Sequence, residues 1–131
     1  MLKIALNNYI NRGRGINFSF QQGNNVLIEL THINDDMVQD IENGFDILYG
    51  IYDYDGNTMV DGKFSDENSR IKRNAVGVYY LEFSHDDTVN LAGDYVMEIS
   101  IVGESSSVVN VCHANQLIYL HFEIRQNNRM T

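Results

Sequence analysis

The chain has 131 residues, 44% of them apolar, which is enough for one packed domain with a sizeable core and argues against wholesale disorder. Nine Lys and Arg face 18 Asp and Glu, a net charge of −9 that excludes a protein binding nucleic-acid backbones by counterion displacement. There is no Trp and no Pro, where average usage would give about six or seven prolines. The single cysteine, Cys112, excludes an internal disulfide framework and a cysteine-rich structural zinc site. The apolar run after Lys3, Ile4-Ala5-Leu6, is far short of the roughly 7–15 residues of a signal peptide, and no stretch approaches the roughly 20 of a membrane helix. The expectation is a soluble chain made in the cytoplasm with no signal peptide and no membrane contact.

Period-two alternation dominates the pattern and places every second side chain on one face of a strand. Leu2–Leu6 reads as a short edge strand, and residues 1–15, above all Asn7–Gly15, as an N-terminal arm. Ile16, Phe18 and Phe20 alternate with polar residues. After the turn Gln21–Asn25 come Val26, Ile28 and Leu30, so these two runs predict a hairpin. Asn34–Glu42 is the best helical candidate, but it is too short and polar for a principal element. Phe45, Ile47, Tyr49 and Ile51 form a third run, and Thr58–Phe64 a fourth, with Asp55-Gly56-Asn57 as a tight turn between them. Asn43-Gly44, Asp61-Gly62 and Ala92-Gly93-Asp94 read as corners. Tyr79, Leu81 and Phe83 make a fifth run, Tyr95–Ile101 a sixth and Ile118–Ile124 a seventh, with Val108–Cys112 as a further short edge strand. Seven short strands separated by turns predict an antiparallel sandwich or small barrel.

Charge is unevenly placed. Between Glu29 and Glu67 there are 11 acids and one base, a net charge of −10. Arg12 and Arg14 form a basic pair near the start, Arg70, Lys72 and Arg73 a second group, and Arg125 and Arg129 a third near the end. One reading makes these solvated loops; the other has basic termini docking on the acidic face of a neighbouring copy. The acidic segment also prompts the weaker idea of a nucleic-acid mimic.

The chain offers little that looks catalytic. Asp53–Asn57 resembles a calcium loop superficially, but Gly stands fourth rather than sixth and Phe64 occupies the twelfth place, so a hairpin turn explains it better. His85-Asp86-Asp87 reads as a solvated loop. Neighbours on an extended chain point apart, which argues against Cys112-His113 as a nucleophile and base. His32 and His121 read as exposed or hydrogen-bonded strand residues. Gly13-Arg14-Gly15 lacks the strand–loop–helix context of a phosphate loop. Tyr49, Tyr52, Tyr54, Tyr79 and Tyr80 suit either a sugar-stacking surface or a sandwich core. No catalytic, cofactor or metal residues emerge, and the expectation is a non-enzyme without cofactor.

The order of segments is more telling. Phe18-Ser19-Phe20-Gln21-Gln22-Gly23-Asn24-Asn25 is followed by Ile51-Tyr52-Asp53-Tyr54-Asp55-Gly56-Asn57. Then come Gly77-Val78-Tyr79-Tyr80-Leu81-Glu82-Phe83, a short acidic loop with Thr88, Leu91-Ala92-Gly93-Asp94-Tyr95-Val96-Met97-Glu98-Ile99 and the strand Ile118–Ile124. Over residues 16–124 this resembles the immunoglobulin-like domain of tailed-phage virion proteins, notably the N-terminal domain of baseplate upper proteins. Those domains share an early Phe/Gln/Gly-Asp-like hairpin, a central Asp-Gly turn, a Gly-x-Tyr strand and a Leu-x-Gly-x-Tyr strand. The chain departs from that pattern at Asn24, where the family often has Asp, and in lacking loop prolines.

The resemblance implies an all-β, antiparallel, immunoglobulin-like β-sandwich of about seven to nine strands. Residues 1–131 would form one domain, with residues 126–131 as a flexible tail. It also implies a non-enzymatic structural and assembly protein of the virion, in the tail or baseplate, the neck or the capsid surface. Its partners would be other virion proteins and copies of itself, with no nucleic acid. Expected contacts are unpaired sheet edges, protected only by the acidic surface in the absence of proline, and Arg12, Arg14, Arg125 and Arg129. The alternative is a carbohydrate- or receptor-binding sandwich at a cell surface, using exposed tyrosines such as Tyr52 or Tyr54.

Overall fold

The computed structural model describes residues 2–5, 18–104 and 112–127. Among them are ten strands and one helical turn. The strands are β1 (Leu2–Ala5), β2 (Phe18–Gln21), β3 (Val26–Asn34), β4 (Met37–Val38), β5 (Phe45–Asp53), β6 (Thr58–Lys63), β7 (Ile71–Ala75), β8 (Val78–Phe83), β9 (Gly93–Glu104) and β10 (Cys112–Arg125). The helical turn, α1 (His85–Thr88), follows β8. One sheet has the order β1-β3-β8-β7, with β4 folded back on the end of β3. The other has the order β2-β10-β9-β5-β6. The fold is thus the expected all-β sandwich, and its pairs are antiparallel except that β2 runs parallel to β10.

The alternation read from the sequence supplies the core. Val26, Ile28, Leu30, Tyr79, Leu81 and Phe83 face inward from the first sheet, and Ile47, Ile51, Met97, Ile99, Phe122 and Ile124 from the second. Aromatic contacts link distant segments: Phe18 stacks on Phe122 at 4.9 Å, and Tyr49 meets Phe83 edge-on at 6.2 Å across the sandwich. Two rings fill the gaps left by glycines directly opposite them. Tyr49 lies over Gly62 and Phe45 over Gly103, where an added Cβ would overlap the ring.

Several local expectations are corrected. The runs ending at Phe20 and beginning at Val26 do not form a hairpin, because β2 joins β10 while β3 joins β1 and β8. The Gln21–Asn25 turn crosses from one sheet to the other and is clasped by α1. Gln22 Nε2 donates to the Val89 carbonyl at 2.6 Å, Thr88 Oγ1 to the Asn24 carbonyl at 2.9 Å, and His85 Nδ1 to the Gly23 carbonyl at 2.7 Å. His85-Asp86-Asp87 is therefore a pinned helical turn rather than a loop, with His85 and Asp86 exposed to solvent as expected. Of the basic group at residues 70–73, Lys72 and Arg73 lie on an edge strand, β7, and Arg70 immediately precedes it. Asp61-Gly62 sits inside β6 and is no corner. With β4 and β7 the described strands number ten rather than about seven to nine.

The two ends of the chain compare differently with expectation. The short edge strand expected at Leu2–Leu6 is present as residues 2–5, paired with β3. At the other end, the Asn127 N–H donates to Gln22 Oε1 at 3.3 Å, so the predicted tail is tied down at its second residue. The segment 7–15 lies outside the described residues, as does Val108–Cys112 apart from Cys112 itself.

Two of the four sheet edges, β6 and β7, are better guarded than the missing prolines suggest. In the first sheet β1 is the outer strand on one side, and in the second sheet β2 is. At the opposite sides, β7 is short, carries exposed Lys72 and Arg73, and is irregular between Arg73 and Ala75. In β6 the Lys63 N–H donates to the Asp66 carboxylate at 3.0 Å, and its pairing with β5 shifts at Ile51/Tyr52. Charge, irregular pairing and a side-chain cap all discourage strand addition at β7 and β6, so at these two edges the acidic surface is not the sole protection.

Candidate binding face on the second sheet

The outward side of the second sheet carries the side chains left over when the alternating apolar set turns inward. Strand register arranges them in rows. One row runs His121–Val96–Tyr52 across β10, β9 and β5. The next runs Tyr119–Glu98–Gly50–Asp61 and reaches β6. Large groups thus alternate with Val96 and Gly50, and a depression follows from the size difference alone. The Tyr52 ring lies back over Gly50, where a Cβ would collide with it. It forms a ridge between two shallow grooves.

The larger groove, about 750 Å³, is lined by Tyr52, Tyr54, Val96, Glu98, Tyr119 and His121. The smaller, about 420 Å³, is lined by Leu48, Tyr52, Asp61, Lys63, Asp66 and Glu98. Tyr54 is 62% exposed and Tyr119 53%, and both are among the large side chains the fold leaves outside. Such exposure of aromatic surface on one face is the kind that marks an interaction site.

Tyr54 is held up by the β5–β6 turn. The Asp53 carboxylate accepts the N–H groups of Asp55 at 3.0 Å and Asn57 at 2.8 Å, and the Asn57 amide at 2.9 Å. Gly56 takes φ +86°, which a larger residue would resist, and its N–H returns to the Asp53 carbonyl at 3.1 Å. Donation from Asn57 first, and then from the turn backbone, holds the Asp53 carboxyl below the usual range. The Tyr54 ring meets His121 edge-on at 6.0 Å. This segment is the hairpin turn expected from the sequence, and no group of His, Cys, Asp or Glu among the described residues is arranged to hold a metal ion.

The face is negatively charged where it is aromatic. Burial raises the Tyr52 hydroxyl above its ordinary value, and the charges of Glu98 and Asp61 raise it further. The ion pairs among the described residues are Arg70–Asp87 and Arg73–Asp40, none of whose residues lines either groove, and neither Glu98 nor Asp61 belongs to one.

The tyrosines noted in the sequence separate into two groups. Tyr49 and Tyr79 are core residues, Tyr80 is half-buried on the outer side of the first sheet, and only Tyr52 and Tyr54 reach this face. Tyr119, Val96 and Glu98 escaped sequence reasoning, and His121, expected only as an exposed or hydrogen-bonded strand residue, is exposed. Alternation along β10 puts Tyr119 and His121 outward, but only register brings them opposite Glu98 and Val96. His32, expected to be exposed or hydrogen-bonded, is buried and its Nδ1 donates to the Gln39 carbonyl at 2.8 Å. Of the expected contact residues, Arg125 is exposed at the end of β10 opposite Gln21 of β2. Arg12, Arg14 and Arg129 lie outside the described residues. No protein-family model matches the chain, and no curated protein matches it either.

Proposed function

We propose that the chain is a non-enzymatic structural and assembly module of a tailed-phage virion, acting through protein–protein contacts. The observation that carries its mode of action is the convergence of exposed Tyr54 and Tyr119 with Tyr52 and His121 on one open face. Rings of this kind supply large contact area at small conformational cost, and they anchor many protein interfaces. The guarding of β6 and β7 shifts the expected contact at those edges from strand addition to this face.

Strand order supports the immunoglobulin-like part of the reading. β1-β3-β8-β7 follows the order A-B-E-D, and β10-β9-β5-β6 follows G-F-C-C′, with β2 a second piece of the first strand beside β10. Near the start of β9 the Tyr95 hydroxyl donates to the Ala92 carbonyl at 3.1 Å and accepts the Ala92 N–H at 3.2 Å. That is the type of tyrosine-to-backbone tie found at sandwich corners. Mass spectrometry of purified particles tests the proposal: the chain is expected at stoichiometric copy number, and its absence from particles would sink the reading.

The groove also favours a second reading, a carbohydrate- or receptor-binding module, because aromatic faces beside carboxylates suit sugar rings. That reading expects saturable signals on a glycan array that disappear in Tyr54→Ala.

A further inference from the structure

We infer that the groove between β5, β9 and β10 docks an extended protein segment bearing arginine or lysine side chains, an occupant that rests on the assembly reading above and gives its partner a chemistry. The first ground is charge. Glu98 lies in the floor row between Tyr119 and Gly50, and Asp61 ends the same row. Glu98 and Asp53 line this groove, while Glu98, Asp61 and Asp66 line the smaller groove across the Tyr52 ridge, where Lys63 is the one Lys or Arg in either lining. Among the described residues no ion pair neutralises Glu98 or Asp61.

The second ground is the aromatic set. Tyr52, Tyr54 and Tyr119 line the groove around that negative floor, with Tyr54 and Tyr119 largely exposed. A cation over a tyrosine ring is attracted by the ring quadrupole, and a guanidinium can at once stack on a ring and donate to a carboxylate. A neutral sugar would use the rings but leave the mutual repulsion of the carboxylates unrelieved. A phosphate-bearing ligand would add to it. Complementarity therefore selects a basic peptide over both.

Titration of ¹⁵N-labelled protein at low salt tests the assignment, with the blocked peptide Gly-Arg-Gly-Arg-Gly as probe and Gly-Gln-Gly-Gln-Gly as its neutral match. Chitotetraose and maltotetraose serve as the sugar arm. Amide shifts are expected at Tyr52–Asp55, Val96–Glu98 and Tyr119–His121 with the arginine peptide alone. Glu98→Gln and Tyr54→Ala should each weaken it about two- to fivefold, and Glu82→Gln on the other sheet should not. Raising salt should weaken it as well. If Glu98→Gln disturbs the spectrum away from the groove, Tyr119→Ala replaces it. Equal shifts with both peptides, shifts centred elsewhere, or sugar binding in place of arginine binding would each overturn the inference. Particle composition is measured separately. A chain found in virions that ignores the arginine peptide would therefore refute the docking chemistry and leave the assembly reading standing.

Discussion

Removing the Asp87 carboxylate is expected to destabilise the fold more than any surface ion-pair substitution should. Arg70 Nη2 reaches Asp87 Oδ1 at 2.7 Å, and Arg70 Nε reaches Oδ2 at 3.0 Å, a two-pronged contact. Oδ2 also accepts the Ser84 N–H at 2.9 Å, which caps α1. The Arg70 N–H in turn donates to the Tyr49 hydroxyl at 3.0 Å, so the network joins the start of β7, the helical turn and the core. Side-chain exposure is 13% for Asp87 and 33% for Arg70.

A charge-assisted bond contributes about 1.5–3 kcal/mol, and the exposed part of Arg70 regains water when the pair is broken. Asp87→Ala should therefore cost about 2–3 kcal/mol, or about 8–12 °C in Tm for a chain of this size. Urea unfolding followed by far-UV circular dichroism, with a double-mutant cycle using Arg70→Met, isolates the pair. A coupling of about 1–2 kcal/mol is expected, and one under about 0.5 kcal/mol would refute the reasoning.

The pH dependence has a definite sign. Burial pushes the Asp87 carboxyl up, but hydrogen bonds from Arg70 and the Ser84 N–H, with the Arg70 charge, outweigh it and hold the group below its usual value of 3.8. A folded-state pKa below the unfolded one contributes stability that is complete above the unfolded value and disappears as pH falls through the folded value. The difference between wild type and Asp87→Asn should be flat from about pH 7 to 5 and shrink below about pH 4.

Gly62→Ala should cost about 1–3 kcal/mol in urea unfolding, because its Cβ meets the buried Tyr49 ring. Gly50→Ala should cost less, since only the half-buried Tyr52 ring must swing away; equal costs would contradict this account of the two glycines. Tyr95→Phe should lose about 1–2 kcal/mol with an unchanged m-value, through its two bonds to Ala92. Replacing Lys72 and Arg73 together by Val should promote association visible in light scattering. A double variant that stays monomeric would show that irregular pairing and short length alone protect β7.

The amino-acid sequence by itself determined the class of fold and which side of most strands is buried. Alternation at Phe45–Ile51, Tyr79–Phe83, Tyr95–Ile101 and Ile118–Ile124 is a local property, set by the two-residue period of an extended chain, and each of these runs became a strand with that face inside. The Asp53–Asn57 turn was equally local, since its bonds close within five residues. β7 was missed because only Ile71 on it is buried, so Lys72–Ala75 carries no apolar period to read. β4 escaped because two αL aspartates, Asp35 and Asp36, make its turn where glycine is the usual signal.

Sheet membership and register were decided only by tertiary structure. Phe18 and Phe20 announce a buried face, but not that it stacks on Phe122, about a hundred residues away, rather than beside Val26. The candidate face depends on the same non-local information. Tyr52, Glu98 and Tyr119 are scattered along the chain and become neighbours only when β5, β9 and β10 settle into one register, because a slip of one residue would turn each of them into the core.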